Sequence, residues 1–90
     1  MKKHINVSID GKVQGVWFRA STRKQALELG LNGFVRNEMD GSVYAEFEGP
    51  EESLNTMLIW CYEGPPHARV DRVVVKDGEV VNYSGFHIQR

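Results

Sequence analysis

INVSIDGKVQGVWFRASTRKQALEL, residues Ile5 to Leu29, changes its period partway along. Ile5, Val7 and Ile9 alternate with Asn6, Ser8 and Asp10, the period of two that marks a half-buried strand. Phe18, Thr22, Ala26 and Leu29 then recur at spacings that put them on one face of a helix. Arg23, Lys24 and Glu28 fall largely on other faces. Between the two periods lies a loop with two glycines, and Arg19 stands just inside the expected helix start. Gly30 occupies the place of a left-handed helix cap, with Leu31 behind it as the apolar contact.

Outward from this stretch the pattern repeats. Gly33 to Asn37 reads as a short second strand, and Asp40-Gly41 is a hairpin-turn signal. Val43, Ala45 and Phe47 alternate with Tyr44, Glu46 and Glu48 in a third strand. Gly49-Pro50-Glu51-Glu52 starts a helix, with proline at its first position and acids facing the positive end of the dipole. Leu54, Met57, Leu58 and Cys61 mark its buried face, and it stops before Gly64-Pro65-Pro66. Val70 to Lys76 is a fourth strand, Asp77-Gly78 another turn, and Phe86 with Ile88 a short fifth strand. Two split strand–helix–strand units predict an α+β, ferredoxin-like βαββαβ sandwich. The expectation is one domain over residues 1–90, an antiparallel sheet with both helices on one face, and a short extra C-terminal strand whose place in the sheet the pattern does not give. The central strands are expected to be Ile5–Ile9 and Val43–Phe47, with Asn6, Ser8, Tyr44, Glu46 and Glu48 pointing outward.

Bulk properties narrow the function. The 90 residues are 41% hydrophobic and 26% charged, ordinary for a globular domain. A net charge of −1 provides no global field for nucleic acid or an anionic membrane, so any anion site must be local. The one cysteine, Cys61, rules out an internal disulfide and a paired-cysteine zinc site. On the helix's apolar side it reads as a buried, inert thiol. His4, His67 and His87 share no metal-ligand spacing and read as surface or strand-edge residues. With no apolar run of signal-peptide or membrane-spanning length, a cytoplasmic location is expected.

The loop itself can hold an anion. The first N–H groups of a helix have no internal partner, and the dipole adds positive potential there. Gly15 permits the positive φ of an anion-binding nest. Arg19 adds a planar fork of donors suited to phosphate oxygens. By pattern alone a plain strand–helix turn with a surface arginine remains equally open.

The segment VQGVWFR, residues Val13 to Arg19, resembles the phosphate-binding loop of the acylphosphatases: a glycine, a short gap, Val-Gln-Gly-Val, one variable residue, then Phe-Arg. GLNGFVRNEMDGSV, Gly30 to Val43, resembles the family's Gly-x-x-Gly-aromatic-Val-x-Asn segment with its following turn and strand. Glu48-Gly49-Pro50, Trp60, Gly64-Pro65 and Val70-Asp71-Arg72 follow in the family's order. The variable position, often glycine or another aromatic, is here Trp17, at the expected rim of the acyl entrance.

The resemblance implies hydrolysis of acyl phosphates to carboxylate and inorganic phosphate, without cofactor or metal. It assigns phosphate binding to Gln14, Gly15, Val16, Trp17, Phe18 and Arg19, and catalysis to Arg19 and Asn37. Arg19 would hold the phosphoryl group and Asn37 would position water. The implied partner is a small acyl phosphate, met by a monomer that binds neither nucleic acid nor membrane. A hydroxyl of Ser21 or Thr22 could brace the loop. The alternatives are a non-catalytic anion-binding or regulatory module on the same fold, an RNA reader, disfavoured by the acidic outward residues Glu46 and Glu48, and a piece of a hydrogenase-maturation carbamoyltransferase.

Overall fold

Alternation and helical period become seven elements in a computed structural model that describes every residue from Met1 to Arg90. They are β1 (Lys2–Lys12), α1 (Phe18–Glu28), β2 (Asn32–Asn37), β3 (Val43–Pro50), α2 (Glu51–Glu63), β4 (Arg69–Gly78) and β5 (Phe86–Gln89). This is the expected ferredoxin-like βαββαβ order with one added strand. The sheet order is β4-β1-β3-β2-β5, so β1 and β3 are central as expected. The first four strands pair antiparallel, but β5 lies parallel to β2. The antiparallel sheet is as expected, and the extra strand, whose place the pattern left open, joins it at the β2 edge and makes it mixed.

Ile5, Val7 and Ile9 of β1 meet Val43, Ala45 and Phe47 of β3 on the helix-covered face. Phe18 and Ala26 of α1 and Leu54, Met57 and Cys61 of α2 close the core over them. Each of the Ile, Val, Leu, Phe and Met side chains among them contributes about 2 kcal/mol on burial. Leu58, expected on the buried face, is only half-buried at its margin. α1 ends in a full Schellman motif: Leu31 N–H donates to the Ala26 carbonyl and Gly30 N–H to that of Leu27. Pro50 is extended (φ −63°, ψ 146°) and precedes the first turn of α2, one place earlier than expected, and Glu51 and Glu52 fill that turn. Cys61 is fully buried, and burial pushes its thiol up to about 12, which keeps it protonated and inert.

The turn expected at Asp77-Gly78 does not exist. β4 continues through both residues, which pair with Ile5 and His4, because β1 begins as early as Lys2. β4 and β5 lie at opposite edges, so residues 79–85 must cross the face the helices leave open. They cross above a row that runs from Gly78 through His4 and Glu48 to β2.

Glu48 fastens this crossing segment. Its carboxylate accepts the N–H of Val81 and the N–H of Tyr83, the latter at 2.8 Å. The Tyr83 hydroxyl donates to Glu46 at 2.8 Å, and its ring meets Phe34 edge-on. Gly33 N–H donates to Gly85, which delivers the chain to β5. His4 and Glu48, expected on the surface, are thereby buried at 4% and 0% exposure. His4 Nδ1 lies 2.8 Å from Glu48, and Nε2 lies 2.7 Å from Asn6 Oδ1 and 3.1 Å from Glu46. Acceptors at both ring nitrogens call for an imidazolium.

Burial pushes His4 down, but its hydrogen bonds to Glu48 and Asn6 and the nearby carboxylate charges outweigh it, so its pKa lies above the ordinary value. Burial pushes Glu48 up, but bonds from His4, Val81 and Tyr83 outweigh it, so its pKa lies below the ordinary value. Stability from Glu48 is complete above its unfolded value near ~4.3 and is lost as pH falls through the lower folded value. Stability from His4 is complete below its unfolded value near ~6.5 and is lost as pH rises through the higher folded value. Urea unfolding should show a maximum between these two values with decline on both sides. Glu48→Gln should cost about 3 kcal/mol and flatten the alkaline decline; a variant profile overlaying the parent's would show that the pair does not hold the fold.

Candidate active site

The site forms where β1 gives way to α1. The register of β1 against β4 slips between Asp10 and Gly11, where β4 carries one extra residue, Asp71, shortly before β1 leaves the sheet. Val13 and Val16 then bury their side chains in the core and hold the loop between them against it. Gly15 has φ 73° and Trp17 φ 67°, both left-handed. None of the backbone N–H groups of residues 14–20 donates to a backbone or side-chain acceptor. No side chain caps α1 and no acid lies in its first turn. The loop thus presents the unpaired donors and dipole of a helix start, the arrangement that favours an anion.

Gln14 joins this loop to the next part of the site. Its amide donates to the carbonyls of Glu38 at 2.7 Å and Ser42 at 2.9 Å. Both belong to the turn between β2 and β3, which Asp40 closes by accepting the N–H and hydroxyl of Ser42. Those two bonds hold the Asp40 carboxyl below its ordinary range. Asn37 is the last residue of β2, directly before that turn, and so comes beside the loop. Its Oδ1 is buried without a hydrogen-bond partner, the only such side-chain atom in the molecule. A buried acceptor left unpaired calls for a ligand or a water.

A cavity of ≈ 320 Å³ is lined by Val13, Gly15, Trp17, Phe18, Arg19, Ala20, Asn37, Ile88 and Arg90. Its only titratable side chains are the two arginines. Arg19 takes part in none of the molecule's ion pairs. The lining set includes Gly15, Trp17, Phe18, Arg19 and Asn37 of the sequence expectation. Gln14 and Val16 instead turn their side chains to the hairpin and the core and offer only their backbone. Thr22 Oγ1 donates to the Phe18 carbonyl at 2.7 Å, a brace within the helix itself.

Val13, Ala20, Ile88 and Arg90 were not expected. Val13 and Ala20 flank the loop and could have been included by adjacency. Ile88 and Arg90 come from β5 and its end, and only the parallel pairing with β2, with Ile88 opposite Val35, brings them in. No local pattern carries that information.

Fold and pocket together define a small α+β chain with free N–H donors and an arginine around one cavity, a setting that suits an oxyanion. The acylphosphatase family model matches residues 5–88. An acylphosphatase of Methylococcus capsulatus is 49% identical over 89 residues, covering 98% of this chain and 97% of that one. The solved structure of an acylphosphatase from Coxiella burnetii superimposes with a TM-score of 0.95 at 41% identity, covering 98% of this chain and 93% of that one. Full-length HypF in its phosphate- and nucleotide-bound form superimposes at 29% identity with a TM-score of 0.90, over 100% of this chain and 12% of that chain. The chain belongs to the acylphosphatase family.

If Gln14 is the joint between loop and turn, Gln14→Ala should lower stability by about 1–2 kcal/mol through two lost bonds and unpaired carbonyls. Amide exchange at residues 14–20 should quicken in the same variant. Unchanged exchange there would mean that Val13 and Val16 hold the loop unaided.

Proposed function

We propose that the chain hydrolyses the carboxyl–phosphate bond of acyl phosphates, releasing carboxylate and inorganic phosphate. The observation that carries the reading is one cavity that brings Asn37, whose buried Oδ1 has no partner, together with a loop of free N–H donors and an arginine in no ion pair. The phosphoryl oxygens take the N–H groups of residues 14–19 and the Arg19 guanidinium. Phosphoryl transfer asks mainly for position and charge stabilisation, and preorganised dipoles supply both. Asn37 accepts a hydrogen bond from water at Oδ1 and so fixes the water's approach in line with the leaving carboxylate.

No Asp, Glu or His side chain lines the cavity. The proton from water therefore passes to a phosphate oxygen of the substrate. The leaving carboxylate is a weak base and departs without an acid. The phosphate charge is met by guanidinium and amide donors, a reading that uses no metal. In the same reading the chain acts as a cytoplasmic monomer on a small diffusible substrate, without nucleic acid or membrane. The −1 net charge and the single buried cysteine support this, and no helix is long and apolar enough to cross a membrane.

Arg19→Ala should remove both phosphate affinity and turnover of benzoyl phosphate. Asn37→Ala should keep phosphate affinity and lose roughly 10²–10³ in kcat, the cost of one oriented polar group. Near-parent hydrolysis by Asn37→Ala would sink the water-positioning role. Loss of activity after EDTA treatment would sink the metal-free route. Phosphate binding without hydrolysis in the parent would return the chain to a non-catalytic anion module.

A further inference from the structure

Trp17 carries two costs that the fold does not return. It is 77% exposed, although an indole is among the groups water most disfavours. It also holds φ 67°, a region that a bulky residue enters only at a cost and that glycine enters freely. Its ring stacks on no other aromatic, since those contacts join His4, Phe18, Phe34, Tyr44, Phe47, Trp60, Tyr83 and Phe86. A strained, exposed side chain at a cavity wall points to a return from a ligand.

The cavity says by its lining which ligand group. Its lining combines polar groups at Gly15, Arg19, Asn37 and Arg90 with apolar side chains, of which the large Trp17 and Ile88 are exposed, Ile88 at 37%. An acyl phosphate combines the same two characters, in a phosphoryl group and an acyl group. With the phosphoryl on the loop, the acyl group is left to the apolar side chains. A cavity of ≈ 320 Å³ is near the lower limit of small-molecule pockets, with room for one compact ring.

We propose that Trp17 is a specificity-determining residue whose indole stacks on the acyl group, so that planar aromatic acyl phosphates are preferred over short aliphatic ones. This rests on the hydrolase reading given above. Trp17 lines the cavity while its backbone, at φ 67°, leaves its N–H without an intramolecular acceptor. Specificity and phosphate binding thereby come from two parts of one residue.

The test is the ratio of kcat/KM for benzoyl phosphate to that for acetyl phosphate, in the parent and in Trp17→Gly, Trp17→Asn and Trp17→Phe. Glycine and asparagine both tolerate the left-handed backbone, so loop geometry is retained. The ratio should fall about tenfold in the glycine and asparagine variants and be largely restored by phenylalanine. Titration calorimetry with benzylphosphonate and methylphosphonate gives a matching affinity ratio without turnover. A parent that hydrolyses both acyl phosphates, with the ratio unmoved in Trp17→Gly, would overturn the role of the indole and leave the hydrolase standing. A parent that hydrolyses neither, yet loses its benzylphosphonate preference in Trp17→Gly, would defeat the hydrolase and leave the role of the indole.

Discussion

The two hydrogen bonds from the Gln14 amide to the β2–β3 turn are the contact on which the site depends. The loop alone is a set of donors at a helix start, a common feature. Asn37 alone is a polar residue at a strand end. The Gln14 amide fixes the distance between them, because it bonds the turn one residue beyond Asn37 and lies one residue before Gly15. Its anchors on either side, Val13 and Val16, are buried, so the joint is held by the core rather than by solvent-exposed contacts. The result is a preorganised cavity whose unpaired donors and orphan acceptor are free to be matched by water or a ligand.

The far end of the sheet serves the same cavity by a longer route. Glu48 holds residues 81 and 83 across the open face, and Gly85 then pairs with Gly33 and starts β5. Phe86 stacks on Phe47 at 5.4 Å, and its carbonyl accepts from Arg23 of α1. From this fixed start β5 runs parallel to β2 and sets Ile88 and Arg90 at the cavity. The buried His4–Glu48 pair therefore has a consequence beyond stability. A buried pair is weak stabilisation compared with an apolar contact, but it specifies one crossing path for a segment that has no helix or strand of its own.

Much of this was legible in the sequence wherever a local rule applied. The change of period near Phe18, the Gly30-Leu31 stop and the Glu51-Glu52 start each reflect the geometry of a single element. Arg19 stood out by residue type and its place at a helix start, while Asn37 came from the family resemblance; both line the cavity. The failures share one cause, which is contact between segments distant in the chain. His4 and Glu48 alternate with core residues and so read as outward, which is true of their direction and false of their burial. Nothing in residues 79–85 is periodic, so their passage over the sheet left no local signal. Asp77-Gly78 has the composition of a turn, yet β1 extends far enough to keep both residues paired. The parallel strand β5 is four residues long, too short for its partner to be read from alternation.

Size and chemistry fit each other in this chain. An acyl phosphate is an activated anhydride with a weakly basic leaving group, so its hydrolysis needs neither a strong base nor a strong acid. What remains is to hold a dianion and bring one water in line. A helix start with unpaired N–H groups supplies positive potential at no cost in charged side chains, and Arg19 adds a single fork of donors. That economy lets a chain of 90 residues with net charge −1 offer positive potential at one cavity. The preorganisation is stored as backbone geometry at Gly15 and Trp17, and the packing of Val13, Val16, Phe18 and Thr22 beneath the loop keeps it from relaxing.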